Sequence, residues 1–329
     1  MDAYETGLGH RFYHDWPYRI PMVGHRMDLT GTALILEGGG LRGNYTAGVL
    51  RFFMDQGLYF PYVIGVSIGA CNGSNYVARQ PERNRVVNTR YVRDPRFLSY
   101  RRLFAGGGLF GMDFVFGTIP LQLVPFDFER FFTSDQRHIT TVTDCATGEP
   151  RYYEKDHLGR RDFLRILKAG CSLPLLQKPV RFDKCVLMDG GIADPIPLRK
   201  SMADGNTRHV LILTQPRGYR KQASPLTRLI NLRYAHFPGL SRAFADRHRR
   251  YNETMQCIDD LERKRMVFTI RPATSLSVSR AERNKDKLYA IYDQGYNDAT
   301  AHHAALTTYL KGLCARGGNE NHLSQGRTA

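Results

Sequence analysis

The chain of 329 residues has little of several things that would narrow its class quickly. It has one tryptophan and six cysteines, Cys71, Cys145, Cys171, Cys185, Cys257 and Cys314, with no C-x-x-C pair among them. A zinc site calls for closely spaced ligand pairs, and a secreted scaffold calls for dense cysteines, so the thiols are expected to be reduced and no metal is expected. No apolar leader can be drawn from Met1 to Ile20, where Asp2, Glu5, His10, Arg11 and Asp15 interrupt the aromatics. The expected location is therefore cytoplasmic. There is also no clean hydrophobic run of the roughly 20 residues that cross a bilayer. The most apolar stretch, Leu103 to Phe126, carries only Asp113 as a charge but is broken by Gly106, Gly107, Gly108, Gly111, Gly117, Pro120 and Pro125. It reads as a mobile loop or short elements lining something greasy, or else as plain core packing.

Acidic residues are scarce as well: 31 Asp plus Glu face 47 Lys plus Arg, leaving a net charge of +16. A partner bearing negative charge is expected, and charge alone does not separate nucleic acid from an anionic membrane surface. The 42% hydrophobic and 24% charged residues are ordinary for a globular chain and exclude a collagen-like or wholly disordered one.

Hydrophobic periodicity alternates between strand and helix. Thr32 to Leu36 reads as a buried strand, followed by a glycine loop and a helix from about Asn44 to Gln56. Tyr62 to Val66 reads as a second strand that turns at Ser67 into a helix through Asn72 and Tyr76. Two strand, turn and helix units within about 45 residues predict parallel strands with crossover helices. Further strands are predicted at Ile139 to Thr143, Val186 to Met188, His209 to Leu213 and Met266 to Ile270. Helices are predicted at Asp162 to Ala169, along the Arg-rich segment Ser241 to Arg265, and from Asn284 to Leu310 as one long or broken helix, with Gly295 as a weak point. A composition shift places a boundary near Gln222. The expected organisation is an N-terminal extension over 1–30, a main domain over 31–222, a helix-rich subdomain over 223–316 and a flexible tail over 317–329.

Two glycine-rich turns stand where strands give way to helices. In Glu37-Gly38-Gly39-Gly40-Leu41-Arg42-Gly43, glycines permit positive φ values and close approach, and the following helix presents the positive end of its dipole. Such a loop holds an anion. Gly38, Gly40 and Gly43 also fit the fingerprint of dinucleotide-binding folds, which wants an acid about 20 residues further on. Asp55 falls early for that role, though an oxidoreductase remains an alternative reading. Gly65-Val66-Ser67-Ile68-Gly69 is a G-x-S-x-G, and small residues on both sides allow the sharp turn that exposes a serine hydroxyl.

A nucleophilic serine needs a base. His209 begins an apparent strand and His236 lies in an Arg-rich, proline-flanked loop, so neither is a convincing partner. Asp189 ends the strand Val186 to Met188 and precedes Gly190 and Gly191, at a strand's carboxyl end where open parallel sheets place their sites.

Glycine loop, serine turn and Asp-Gly-Gly, in that order, resemble the three signature elements of the patatin-like phospholipases. The similarity covers about Thr32 to Thr214, and Phe126-Asp127, Thr147-Gly148-Glu149 and Val278-Ser279-Arg280 resemble a bacterial branch with an additional C-terminal domain. The resemblance implies a three-layer α/β/α fold with a mostly parallel sheet and a smaller, mainly helical C-terminal subdomain. It implies Ser67 as nucleophile, Asp189 as base in a dyad without histidine, and Gly38, Gly39 and Gly40 as the oxyanion loop. Arg42, Gly43, Gly65, Gly69, Gly190 and Gly191 match the supporting motif positions. The implied activity is hydrolysis of lipid acyl esters without a cofactor, at an anionic membrane surface that the chain contacts peripherally from the cytoplasmic side. Glu37 stands where many relatives have a small residue, and its charge is expected to oppose an anionic head group there. Arg42 is expected to brace the loop, while Arg101 and Arg102 are placed to meet head groups. A nucleic-acid-binding protein is the other alternative, but no motif of the usual modules supports it and no nucleic acid is expected.

Overall fold

A computed structural model describes residues 27–312. Most of the expected N-terminal extension, the tail over 317–329 and Cys314 lie outside the described residues. Strands β1 (Thr32–Leu36) and β2 (Tyr62–Val66) are wholly buried runs, as befits the centre of a sheet covered on both faces. β3 (Arg137–Asp144), β4 (Pro150–Glu154), β5 (Val180–Phe182), β6 (Cys185–Asp189), β7 (Arg208–Ile212) and β8 (Val267–Ile270) complete one eight-stranded sheet. Its order is β5-β6-β3-β2-β1-β7-β8, with β4 also paired to β3. The run β3-β2-β1-β7-β8 is parallel, whereas β4 and β6 are antiparallel to β3.

Helices α1 (Gly43–Asp55) and α2 (Ile68–Val77) follow β1 and β2 directly. Then come α3 (Arg83–Arg90), α4 (Tyr100–Phe104), α5 (Phe128–Thr133), α6 (Arg160–Gly170), α7 (Leu198–Ala203), α8 (Thr227–Arg233), α9 (Pro238–Arg263) and α10 (Lys285–Gly312). Alternation along the strands makes three layers. Leu34, Leu36, Val63, Val210 and Ile212 face a core shared with α1, α2, α6 and α10. Ala33, Ile35, Ile64 and Leu211 face Leu198 of α7 and Tyr251, Met255 and Ile258 of α9. The fold is thus α/β with a mostly parallel sheet, and residues beyond 222 add one strand to that sheet and a helix to each face.

Two segments take forms that the sequence left open. α10 runs unbroken through Gly295, because Gly295 and Gly48 of α1 form a close helix crossing. A β carbon at Gly295 would sit 2.0 Å from the Tyr45 carbonyl, and one at Gly48 would sit 1.9 Å from that of Tyr292. The apolar stretch contains a ten-residue π-helix, Phe114–Leu123, with Pro120 inside it. That wide helix turns Phe114 and Ile119 inward and leaves Leu121 and Leu123 exposed.

Candidate active site

Parallel pairing brings the carboxyl ends of β1, β2 and β7 to one edge, so the turns that follow them are neighbours. The register of β3 adds the fourth component. Thr141 of β3 pairs with Val66, the last residue of β2, and the next residue, Val142, pairs with Asp189, the last residue of β6. Because β4 occupies the other edge of β3 over Ile139 to Thr143, β2 and β6 abut end to end on the same edge. Ser67 and Asp189 follow from that abutment: the serine directly leaves β2 and the aspartate closes β6.

Ser67 has φ 54° and ψ −128°, in the left-handed half of backbone space that a side-chain-bearing residue occupies at a cost of about 1–3 kcal/mol. It caps α2, so the positive end of the helix lies beneath it. Gly38, Gly39 and Gly40 pass in front: a β carbon at Gly38 would stand 3.1 Å from that of Ser67. The amides of Gly38, Gly39 and Gly40 donate to no described residue, whereas their neighbours do, Glu37 to the Ile212 carbonyl at 3.1 Å and Leu41 to the Arg280 carbonyl at 3.1 Å. Gly40 has φ +58°; Gly43 and Gly69 lie in close contacts between the two turns, Gly65 packs against Gly69 and Ala70 within the serine turn, and Gly190 packs against the Thr141 carbonyl.

Asp189 is 2% exposed. Its Oδ1 accepts from the Gly191 amide at 2.8 Å, and its Oδ2 is buried with no hydrogen-bond partner. Burial pushes its carboxyl above the usual carboxylate range, against the opposing pull of Arg247, the Ser67 hydroxyl, the Gly191 amide and Arg280. A carboxylate with one free oxygen beside a strained serine is chemically a base beside a nucleophile.

The structure gives the partners of several charged residues named from the sequence. Glu37 borders the polar side of the site, but its carboxylate is already engaged. Its carboxylate accepts from the Thr214 amide at 2.6 Å, the Thr214 hydroxyl at 3.1 Å and the Tyr251 hydroxyl at 3.0 Å, so it ties the glycine loop to β7 and α9. Arg42 donates through Nε to the Gly39 carbonyl at 3.4 Å, a bracing contact. Arg102 is not free for a head group, because it donates to the carbonyls of Gly108, Pro95 and Leu109, each at 2.9 Å. His209 is buried against the Ser201 hydroxyl at 3.1 Å, and burial lowers its pKa to about 4. His236 is exposed and stacks on Phe237. Asp55 pairs with Arg51 at 2.8 Å and takes no part in the glycine loop.

Two cavities meet at Ser67. One is apolar, walled by Ile68, Val115, Phe116, Phe126, Leu167 and Leu176 among others, so part of the Leu103 to Phe126 stretch does line an apolar space. Cys71 and Cys171 border it with their sulfurs 3.6 Å apart, and the described cysteines are all free. The other cavity is polar, bordered by the glycine loop, Asp189, Arg42, Lys221, Arg247 and Arg280.

Sequence reasoning missed Lys221, Arg247 and the inward side of Tyr251. One signal was available for Arg247. Leu240, Ala243, Tyr251, Met255 and Ile258 form the buried stripe of α9, and position 247 falls on that stripe. An arginine in an apolar stripe has a reason to be inside, and here its Nε donates to the Gly191 carbonyl at 2.5 Å.

Comparison with known proteins bears on the family. Residues 34–201 match the family model described as patatin-like phospholipase, and residues 237–311 match that of a domain of unknown function, DUF6363. The chain is similar to the uncharacterized protein YjjU of Escherichia coli (strain K12), 31% identical over 189 residues. That match covers 56% of this chain and 52% of YjjU, so it spans about half the length of the relative. Among solved structures, VipD from Legionella pneumophila superposes over 85% of this chain and 67% of its own, with a TM-score of 0.43 and 13% identity.

Proposed function

The chain belongs to the patatin-like phospholipase family, and from that membership we propose that it is a serine acyl hydrolase of lipid esters, with Ser67 as nucleophile and Asp189 as base. One observation carries this reading: the strained Ser67 stands where an apolar cavity and a cationic cavity meet, beside a buried aspartate with an unoccupied oxygen. An acyl chain suits the first cavity and the alcohol part of the ester suits the second.

The chemistry then runs in two halves. Ser67 Oγ bonds to the ester carbonyl carbon while its proton passes to Asp189 Oδ2, and the carbonyl π electrons move onto oxygen. Amides of Gly38, Gly39 and Gly40 donate to that oxyanion in the absence of competing acceptors. Collapse of the intermediate expels the alkoxide, which takes the proton from Asp189. Water repeats the attack with Asp189 again as base, releasing the fatty acid and the free serine. A normal carboxylate, with a pKa of about 3.9, is a weak base for a hydroxyl, and burial of Asp189 strengthens it.

The substrate is met at a negatively charged membrane surface. Among the described residues no helix is long and apolar enough to cross a membrane. Leu226, Leu229 and Leu232 are exposed along and just before α8, interleaved with the exposed Arg228 and Arg233. Apolar side chains that enter a head-group layer beside cations that neutralise it are the chemistry of interfacial binding.

The test is release of free fatty acid from mixed bacterial lipids, together with covalent labelling by a fluorophosphonate. Ser67→Ala is expected to lower hydrolysis by at least about 1,000-fold and to abolish labelling while the protein stays folded. Labelling at another residue, or activity surviving in Ser67→Ala, would sink the proposal.

A further inference from the structure

We propose that Lys221, Arg247 and Arg280 form a subsite for the phosphate of a net-negative lipid head group beside the catalytic serine. This rests on the hydrolase reading above and adds the class of substrate. None of the three residues lies within the 34–201 segment that matches the family model. They come from the loop after β7, from α9 and from the loop before α10, and they border the cavity that also holds Ser67 and Asp189.

The geometry of each side chain supports the assignment. Arg247 reaches the base of the cavity, where a point one β carbon out from Gly191 is 3.3 Å from its Nη2 and 3.1 Å from Asp189 Oδ1. Arg280 crosses over the glycine loop: its carbonyl accepts from the Leu41 amide, and its own β carbon stands 3.0 Å from where one at Gly40 would be. Lys221 is held by its backbone, which exchanges hydrogen bonds of 2.8 and 3.0 Å with the Asn252 side chain. Its ammonium lies 4.3 Å from the Tyr251 ring centroid. Neither the Lys221 ammonium nor the Arg280 guanidinium has a carboxylate partner among the described residues.

Charge in the cavity is out of balance. Arg42, Lys221, Arg247 and Arg280 face only two carboxylates, Glu37 and Asp189. Glu37 is engaged by Thr214 and Tyr251, and Asp189 is assigned to catalysis. Burial first, and then Arg247, with smaller repulsion from Arg280 and Arg42 against the pull of Glu37, lower the Lys221 pKa to about 7. Cations kept close without counter-charge form a receptor for an anion. A third cavity, bordered by Leu226 and Ile230 as well as Lys221, Arg247 and Arg280, runs from these cations to the exposed Leu226 just before α8. A zwitterionic head group would carry its own ammonium into the same repulsion, whereas a net-negative one would relieve it.

The experiment measures binding rather than turnover, so that it stands apart from the hydrolase reading. The full chain carrying Ser67→Ala is titrated by calorimetry with monomeric dihexanoyl phosphatidylglycerol, dihexanoyl phosphatidylcholine and the uncharged dihexanoylglycerol. The anionic lipid is expected to bind at least about tenfold tighter than the uncharged one, the effect of one charge-assisted hydrogen bond. Lys221→Met or Arg280→Met, each added to that background, is expected to shrink the margin by about tenfold. Competition by inorganic phosphate assigns recognition to the phosphate itself, and its absence assigns it to the lipid-borne head group; both outcomes support the subsite. Equal binding of charged and uncharged lipids, or a margin that survives in both variants, overturns it. Loss of fatty-acid release from the wild-type chain with this margin intact would defeat the hydrolase reading alone.

Discussion

Replacing Gly38 by alanine should slow turnover while leaving the fold nearly as stable as before. Gly38 is not among the residues with positive φ, so alanine suits its backbone, and the substitution reduces the freedom of the unfolded chain by about 0.4–1 kcal/mol. Against this gain, the new methyl would stand 3.0 Å from the Val66 carbonyl oxygen and 3.1 Å from Ser67 Cβ. Ordinary carbon contacts lie at about 3.5–4.0 Å, so loop and serine must part by roughly half an ångström. That displacement falls on the two components whose spacing sets the oxyanion contacts. Loss of a whole donor costs about 100- to 1,000-fold in rate, and a partial displacement is expected to cost about 10- to 100-fold in kcat.

The assay is hydrolysis of a soluble p-nitrophenyl ester alongside thermal unfolding. Tm is expected to stay within about 4 °C of the wild type. Gly40→Ala provides the contrast, because that residue has φ +58° and a β carbon there would stand 2.6 Å from the Arg280 carbonyl. Left-handed backbone costs an ordinary residue about 1–2 kcal/mol, and the clash adds to it, so stability and activity should fall together. A Gly38→Ala protein with undiminished kcat would refute the placement of this loop against the reacting atoms, as would a rate loss accounted for by unfolding.

Three further outcomes are expected. Glu37→Leu should destabilise the fold, at about 1–3 kcal/mol for each buried donor left unpaired at Thr214 and Tyr251, while Glu37→Gln should cost much less; denaturant titration decides, and equal stability of Leu and wild type would contradict the bracing role. Asp189 must be ionised to act as base and burial raises its pKa, so kcat/KM should fall on the acid side with a midpoint above the usual value of about 3.9. Removing the opposing positive charge with Arg247→Met should move that limb to still higher pH, and an unmoved limb would show that Arg247 does not act on the carboxyl. Leu229→Asp with Leu232→Asp should reduce co-sedimentation with anionic vesicles and leave circular dichroism unchanged; undiminished binding would remove α8 from the membrane contact.

The central strands were legible because local sequence specifies them strongly. Thr32 to Leu36 and Tyr62 to Val66 are five-residue apolar runs bounded by turn residues, and both strands have those bounds. Elements whose form depends on distant partners were not legible in the same way. Pro150–Glu154 is half exposed and has little apolar signal, and it is a strand because β3 offers it an edge. In Phe114–Leu123, Gly117 and Pro120 are breakers by local rule. Proline lacks the amide that a regular α-helix would require, but the wider turn there is closed by later donors, Val124 to the Ile119 carbonyl and Phe126 to that of Pro120. Gly295 leaves α10 unbroken for a related reason: a glycine that loosens an isolated helix lets two packed helices approach.

The site divides along the same line. Ser67, Asp189 and the glycines lie in short motifs whose spacing reflects local geometry, so each could be named from its own turn. Their meeting was implied only by the family resemblance and not by the turns themselves, because it depends on β6 taking up the edge of β3 where β2 stops, a register that no local pattern encodes. The cations are further removed still. Lys221, Arg247 and Arg280 lie on three separate segments and converge only because α9 covers one face of the sheet and the following loop returns over Gly40. Their convergence also sets the balance at the base: burial alone would keep Asp189 protonated over a wider range, and Arg247 draws it back toward the ionised form. Both forces act on one carboxyl, one from the core beneath it and one from a helix beyond the segment that identifies the family. On the proposed mechanism the Ser67 turn and α9 are therefore parts of a single electrostatic site.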